Sequence, residues 1–474
     1  MIKKFLKYLS NFENFILLFF IFLTLLLSLY ALQKIFNPIY EVNSNNYQLI
    51  FAYLVIFFIS LTSSILFLIG LIKFHKKTKL NISIVLLSSF LTFYTIEIIL
   101  ELRYGYVYWN YDWRTKTEVI NDIKLTGLSA YPNWGPSNLL KTEFKNGLKT
   151  EKGKIFPLSG MSDEILVATN ENGFWMTYKS DQYGFHNKNN IYDNLTIDIL
   201  MVGDSFTEGY SVKSAENIGG VLLDNGYNVI NLGKGGNSAL IQYAGLKEYG
   251  KYFKPKIVLW FYYENDLIEL NIELQSNILN KYLENDNFSQ NLIFRQNEIN
   301  SSVKKYMEKQ YEQLTYSQNN PEKIRERNAN NIYFKVIKLS NLRKLLNKSL
   351  NVKFTNKGLK QANYQKQIKI FSEILKKSNK LVSEWDGKMY FIFLPEYNRY
   401  LGKGMQFYED YDMIIKTVNA IGIPLIDIHQ EVFSKHNDPF SLFPFRRYGH
   451  YNSKGYKIIA DKISEQIQKD KYLN

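Results

Sequence analysis

Three apolar runs crowd into the first hundred residues: Phe15 to Leu32, Leu49 to Ile72 and Leu80 to Leu100. A helix needs roughly 20 apolar residues to cross a bilayer core, and each run approaches or exceeds that length. Hydrocarbon offers no water to a bare amide, so segments of this kind must form helices if they span. The first run is long and has no small-residue cleavage site, so it reads as an anchor and not as a removed signal peptide. Lys73-Phe-His-Lys-Lys-Thr-Lys79, between the second and third runs, is strongly positive, and so is Met1-Ile-Lys-Lys-Phe-Leu-Lys7. The bias of lysine toward cytoplasmic loops puts both inside. Three spans that start inside leave everything beyond residue 101 extracytoplasmic. The third run carries Asn81 and Glu97, and a buried soluble helix is the alternative for it. Glu97 itself reads either as a functional group within the membrane or as a residue near the outer interface.

Residues 102–196 have a different texture. Aromatic clusters such as Tyr108-Trp-Asn-Tyr-Asp-Trp113 and Trp134-Gly-Pro136 alternate with short apolar stretches such as Glu164-Ile-Leu-Val-Ala168. This pattern predicts an extracytoplasmic region of strands and loops packed on the domain that follows. Its rings serve either as core or as a platform for sugar faces.

From residue 197 strand and helix patterns alternate regularly. Strands are expected at 197–202, 227–232, 256–261, 389–394 and 424–427, with helices near 215–225, 238–252, 364–382, 409–420 and 453–468. In the last of these, Tyr456, Ile459, Ala460, Ile463 and Ile467 recur at helical spacing. Such alternation predicts a mostly parallel sheet covered by helices on both faces. Between about 267 and 360 the pattern breaks into a polar, mainly helical insertion, which reads as a lid, a partner surface or a solvated hairpin. The chain thus divides into a membrane anchor (1–101), an aromatic-rich region (102–196) and an α/β domain (197–474).

The chemistry-bearing residues fall at strand ends. Ile197-Asp-Ile-Leu-Met-Val-Gly-Asp-Ser-Phe-Thr-Glu-Gly209 breaks from a strand at Gly203 and delivers Ser205 at a helix start, either as a cap or as an exposed nucleophile. Open α/β sheets carry their sites at that edge. Attack on an ester needs a base for the serine proton and donors for the oxyanion. Asn231-Leu-Gly-Lys-Gly-Gly-Asn-Ser238 follows the second strand, with Gly236 best placed to offer a backbone N–H. Tyr263-Glu-Asn-Asp266 follows the third and offers the Asn265 amide. Gly449-His-Tyr-Asn-Ser-Lys-Gly455 precedes the last helix, and of the five histidines His450 is the favoured base. The chain has no cysteine, which excludes thiolate nucleophiles and Cys-ligated zinc. No His-x-His pair points to a metal-dependent phosphoesterase. A net charge of +14 reads either as an anionic partner or as the lysine excess of AT-rich coding. No zinc finger, recognition helix or RNA-binding aromatic motif points to nucleic acid.

Gly203-Asp-Ser-Phe206 resembles the first block of the GDSL/SGNH hydrolases. The family's Ser, Gly, Asn and His map in order onto Ser205, Gly236, Asn265 and His450. The resemblance covers about 197–266 and 386–468, and Tyr183-Gly-Phe-His186 is similar to a lead-in of membrane-anchored members. It implies a flavodoxin-like α/β/α sandwich, no cofactor or metal, and esterase, lipase, deacetylase or envelope O-acetyltransferase activity. The catalytic pair would be Ser205 and His450, with Gly236 and Asn265 in the oxyanion hole. Implied partners are the membrane, an acylated glycan or small ester and, for a transferase, a membrane-bound acyl donor protein. Two departures stand out. Tyr263 replaces the glycine that opens the third block, and Arg447 replaces the acid three residues before the histidine. Asp438, Asp427 or a backbone carbonyl are the candidates to orient His450. Without such a partner the alternative is a degenerate domain that binds glycan or scaffolds an envelope complex.

Overall fold

The computed structural model describes residues 11–36, 46–105, 111–193, 196–320, 336–343, 357–401 and 409–472. The basic N-terminus and Tyr108–Asn110 lie outside these. Two compact units emerge: Met1–Tyr106 with Ala329–Val352, and Val107–Asn328 with Lys353–Asn474.

The first unit holds helices α1 (Phe12–Phe36), α2 (Asn46–Lys73) and α3 (Lys76–Gly105). All three are long and apolar enough to cross a membrane. Large apolar side chains stay exposed along them, among them Phe22, Phe58 and Leu91, as expected of surfaces facing lipid. Polar side chains link α1 to α2 across their interface: Thr24 Oγ1 lies 2.6 Å from Ser64 Oγ, and Ser28 Oγ 2.8 Å from Ser60 Oγ. Small hydroxyl residues of this kind let helix backbones approach closely. A piece of the insertion, residues 336–343, also belongs to this unit. Its Asn341 and Leu342 N–H groups donate to the two Glu97 carboxylate oxygens at 2.9 and 2.8 Å.

The second unit is built on five parallel strands: β1 (Ile199–Val202), β2 (Val229–Asn231), β3 (Ile257–Tyr263), β4 (Lys388–Leu394) and β5 (Leu425–Asp427), in the order β5-β4-β3-β1-β2. This is the flavodoxin-like order, with its switch point between β1 and β3. The covering helices are α4 (Ile218–Asp224), α5 (Ala239–Gly245), α6 (Asp266–Glu273), α7 (Gln296–Asn319), α8 (Lys357–Ser383), α9 (Glu409–Ile421) and α10 (Ser453–Lys469). Strand alternation explains the layers. Leu200 and Val202 of β1 enter one core with Leu240 of α5, Phe371 of α8 and Ile414 of α9. Ile199 and Met201 point the other way, to Leu222 of α4 and Ile459 of α10. Both faces are buried, which is why the strands read as continuous apolar runs.

Residues 111–193 add a small sheet. Ala130–Pro132 pairs parallel with Ile165–Val167, which pairs antiparallel with Thr177–Lys179. Tyr131, Trp134, Phe156, Tyr178 and Phe185 are buried in the same core as α5 and α8, whereas Trp113 and Phe174 are exposed. The first half of the insertion is no solvated hairpin: Leu279, Tyr282, Ile299, Val303 and Met307 are buried, and Tyr306 packs on Trp134 with ring centroids 5.7 Å apart.

One contact brings the small sheet's neighbourhood onto the loop after β2. A Cβ at Gly135 would fall 1.9 Å from the Gly235 carbonyl oxygen, so only glycine allows this approach. Gly135→Ala is expected to destabilise the second unit by about 1–3 kcal/mol through overpacking. The check is the melting temperature of the detergent-solubilised chain, and an unchanged value would mean that the two segments do not touch.

Candidate active site

Strand β1 ends at Gly203, and Asp204 caps the single helical turn Ser205–Glu208, its Oδ1 accepting from the Phe206 N–H at 2.9 Å. The cap turns the chain sharply and leaves Ser205 half-buried at the carboxyl edge of the sheet. His450 comes from the loop before α10. Asn452 caps that helix through the Gly455 N–H (3.0 Å) and also holds the Ser441 and Phe443 carbonyls with its amide (2.9 and 3.1 Å), so the loop is fixed on both sides. The two meet directly, with His450 Nε2 2.8 Å from Ser205 Oγ.

The carboxylate beside the other imidazole nitrogen is neither Asp438 nor Asp427. It is Glu171, whose Oε2 lies 2.9 Å from His450 Nδ1 and also accepts the His450 backbone N–H at 2.8 Å. Asp438 is engaged with Arg446 at 2.8 Å. Asp427 caps Ile428–Glu431 and accepts from the Tyr411 hydroxyl. Glu171 sits in the loop between strands Ile165–Val167 and Thr177–Lys179, and its neighbour Asn172 ties that loop to the serine segment, donating to the Ser211 carbonyl at 2.7 Å. Ser211 Oγ in turn donates to the Tyr451 carbonyl at 2.9 Å. Three segments far apart in the chain are thereby locked together. No spacing rule joins an acid in Asn170-Glu-Asn-Gly173 to a histidine 279 residues later, and in sequence it passes for a turn residue.

Burial works against the His450 imidazolium, but the hydrogen bond and charge of Glu171 outweigh it and hold the group above its ordinary value of 6.5. Burial likewise pushes the Glu171 carboxyl up, and the hydrogen bonds and charge of His450 bring it below its usual range. Asp204 is pushed up to about 6 by burial, against the Phe206 N–H. The aromatic surroundings fix the ring: Phe206 packs on His450 at 4.5 Å and Tyr210 at 5.3 Å between centroids. Tyr263, in the place of a glycine, stacks on Phe206 at 3.8 Å and so supports the same ring from behind.

Asn265 stands at the junction of β3 and α6, and β3 pairs with β1, so it leaves the sheet beside Ser205. Its Oδ1 is buried without a hydrogen-bond partner. In the loop after β2, the Gly235 N–H is taken by Glu208, and the backbone then turns left-handed at Gly236 (φ 74°). The Gly236 N–H has no acceptor among the described residues. Among those residues no cluster of three His, Asp or Glu groups is arranged to hold a metal.

A serine hydrogen-bonded to an imidazole that is oriented by a carboxylate is the arrangement for acyl transfer through a covalent intermediate. The GDSL-like lipase/acylhydrolase family model matches residues 199–463, more than half of the chain, and the chain belongs to that family. Solved structures similar to it include a member of the lipolytic G-D-S-L family from Veillonella parvula DSM 2008 (12% identity, covering 58% of this chain and 99% of that one, TM-score 0.30). An acetyl xylan esterase, AlAXEase, is similar at 12% identity, covering 57% of this chain and 100% of that one, with a TM-score of 0.30. TesA is similar at 10% identity, covering 57% and 98%, again with a TM-score of 0.30. No curated protein matches the chain.

An imidazole must be neutral to accept a serine proton, so with His450 as base its raised value is expected to put the acid limb of activity above pH 6.5. Glu171→Gln removes the charge that holds it there. The limb is expected to move to lower pH, and kcat for p-nitrophenyl acetate to fall by about 100- to 10,000-fold. A pH–rate profile that keeps its position in the variant would show that Glu171 does not charge-stabilise His450, and an unchanged kcat would show that it does not orient it.

Proposed function

We propose that this chain is a membrane-anchored serine ester hydrolase or O-acetyl transferase that acts on an extracytoplasmic cell-envelope glycan or its precursor. The observation that carries the proposal is the Glu171–His450–Ser205 chain of hydrogen bonds, 2.9 and 2.8 Å long. Ser205 Oγ attacks the ester carbonyl carbon while His450 Nε2 takes its proton. The carbonyl oxygen becomes an oxyanion, for which the N–H groups of Ser205 and Gly236 and the Asn265 amide are the donors. Collapse breaks the ester bond, and the imidazolium returns the proton to the departing alcohol. The acyl-enzyme is then resolved by water or by a sugar hydroxyl, with His450 again serving as base.

Glu171 also bears on the rival reading of a degenerate binding domain, because it is a carboxylate at His450 where Arg447 replaces the usual acid, and that replacement is one of the grounds for such a reading, beside Tyr263 and the large insertion. The extracytoplasmic assignment is supported by the three apolar helices and by the lysines where α2 meets α3 (Lys73, Lys76, Lys77 and Lys79). An outward-facing domain held at the membrane suits an envelope glycan or a lipid-linked precursor. A transferase would draw its acyl group from a membrane-bound donor protein.

Treatment of the full chain in detergent with a fluorophosphonate probe is expected to label Ser205, as mapped by mass spectrometry, and Ser205→Ala and His450→Ala to abolish the label. A folded wild-type chain that takes up no probe would sink the nucleophile assignment. With p-nitrophenyl acetate as donor, acetylated sugar formed in competition with free acetate would separate transfer from hydrolysis.

A further inference from the structure

The loop after β2 presents two successive glycine amides, Gly235 and Gly236, and only one can serve an oxyanion at Ser205. Gly235 is held at both of its backbone polar atoms, which belong to two peptide units: its N–H lies in the unit shared with Lys234, and its carbonyl in the unit that carries the Gly236 N–H. Its N–H donates to Glu208 Oε2 at 2.8 Å, and its carbonyl accepts from Ser137 Oγ at 3.0 Å. Glu208 closes the same helical turn that carries Ser205. A Cβ built on Gly235 would lie 3.9 Å from Ser205 Cβ, so this peptide runs directly beside the nucleophile.

Glu208 is itself held by an ion pair whose two side chains are 0% exposed, with Lys234 Nζ 2.8 Å from Glu208 Oε1. The lysine's remaining donors reach Asn133 Oδ1 and Tyr178 OH, both at 3.0 Å. Asn133 Nδ2 and Tyr178 OH donate back to Glu208 Oε1 at 2.8 Å each. A buried pair like this adds little net stability over apolar residues of the same shape, but its geometry is rigid because all three lysine donors are matched. Lys234 also lies in the loop it stabilises, one residue before Gly235.

We propose that Glu208, held by Lys234, and Ser137 are positioning residues that clamp the peptide units on either side of Gly235, so that the Gly236 N–H is the amide offered to the oxyanion. Neither side chain of the pair touches substrate. The clamp consumes the competing amide and sets the rotation of the next one. Ser137, and both side chains that support the ion pair, Asn133 and Tyr178, come from residues 111–193, outside the stretch that matches the family model. The proposal rests on the ester-hydrolase reading above.

The test compares Glu208→Gln/Lys234→Met with wild type, as full chains in detergent. The double variant removes both charges, so neither is left buried alone. Fluorophosphonate titration counts active sites, p-nitrophenyl acetate gives kcat per titrated site and KM, and phenylboronic acid reports binding of a tetrahedral analogue. A drop in kcat of about 10- to 100-fold is expected, with KM within about twofold and boronate binding weakened by a similar factor. Wild-type kcat per titrated site, or a loss confined to melting temperature and titratable fraction, would overturn the clamp. Should the double variant not accumulate, Ser137→Ala releases the Gly235 carbonyl, which shares its peptide unit with the Gly236 N–H. It is expected to lower kcat several-fold at constant KM, and an unchanged kcat there is equally fatal. A wild-type chain that neither labels nor turns over ester would instead overturn the hydrolase reading, and the clamp with it.

Discussion

The hydrogen bonds from Glu171 to His450 join segments 279 residues apart, and they decide what the rest of the second unit has to hold still. An imidazole at the end of a loop can rotate, and one that rotates loses its hydrogen bond to Ser205. Glu171 stops this twice, once at Nδ1 and once at the backbone N–H of the same residue. A carboxylate on a loop is useful only if the loop is rigid. Asn172 to Ser211 and Ser211 to Tyr451 supply that rigidity by bonding the acid's loop, the serine's segment and the histidine's segment to one another. The acid is thus held by the groups it serves.

Seen this way, residues 111–193 are part of the site and not an appendage to it. Their lead-in stretch shows why. Asn187 makes a reciprocal pair of hydrogen bonds with the Asn231 backbone, at 2.8 and 2.9 Å, at the point where β2 gives way to the glycine loop. His186 bonds the Glu208 carbonyl at 2.8 Å and stacks on Tyr178 at 3.8 Å. Burial pushes it down to about 4, so it stays neutral beside Lys234 and adds no second positive charge there. The open edge of a parallel sheet leaves loops without neighbours on one side; here a separate small sheet supplies those neighbours.

Much of the α/β architecture was legible because its signal is periodic. Apolar runs such as Ile257–Tyr263 are buried on both faces, and α10 repeats its core residues at helical spacing, so each element carries its own signature. Ser205 and His450 were legible for a related reason, since strand ends and helix starts locate them. Residues 111–193 carry no such signal: strands of three residues are too short to show alternation, and their order in space does not follow from length. Glu171 was invisible because its meaning lies entirely in a contact across the fold. Lys234 was hidden differently. Between Gly233 and Gly235 it has the look of a solvated turn residue, and only the three groups that its ammonium meets (Glu208, Asn133 and Tyr178) make burial of its charge tolerable.

Glu97 poses the same question in the first unit. An acidic residue inside an apolar helix is costly, and by default it marks a proton path or a binding site. Here its carboxylate is buried and fully committed to residues 336–343, accepting the backbone N–H groups of Asn341 and Leu342 and the Asn341 amide at 3.1 Å. Glu101, one turn along α3, takes the same amide at 2.6 Å. Tyr94 OH adds a bond to the Ile337 carbonyl at 3.1 Å. Three residues at one-turn spacing on α3 therefore form a receptor for a short piece of the insertion, which the chain reaches only after building β3 and α7. The charge is spent on capping backbone donors that would otherwise be buried bare, which argues for a structural use of Glu97 over a transport one. It also gives the second half of the insertion a role distinct from the first. Residues 277–319 fill out the second unit's core, whereas residues 336–343 dress the end of a helix that is long and apolar enough to span a membrane.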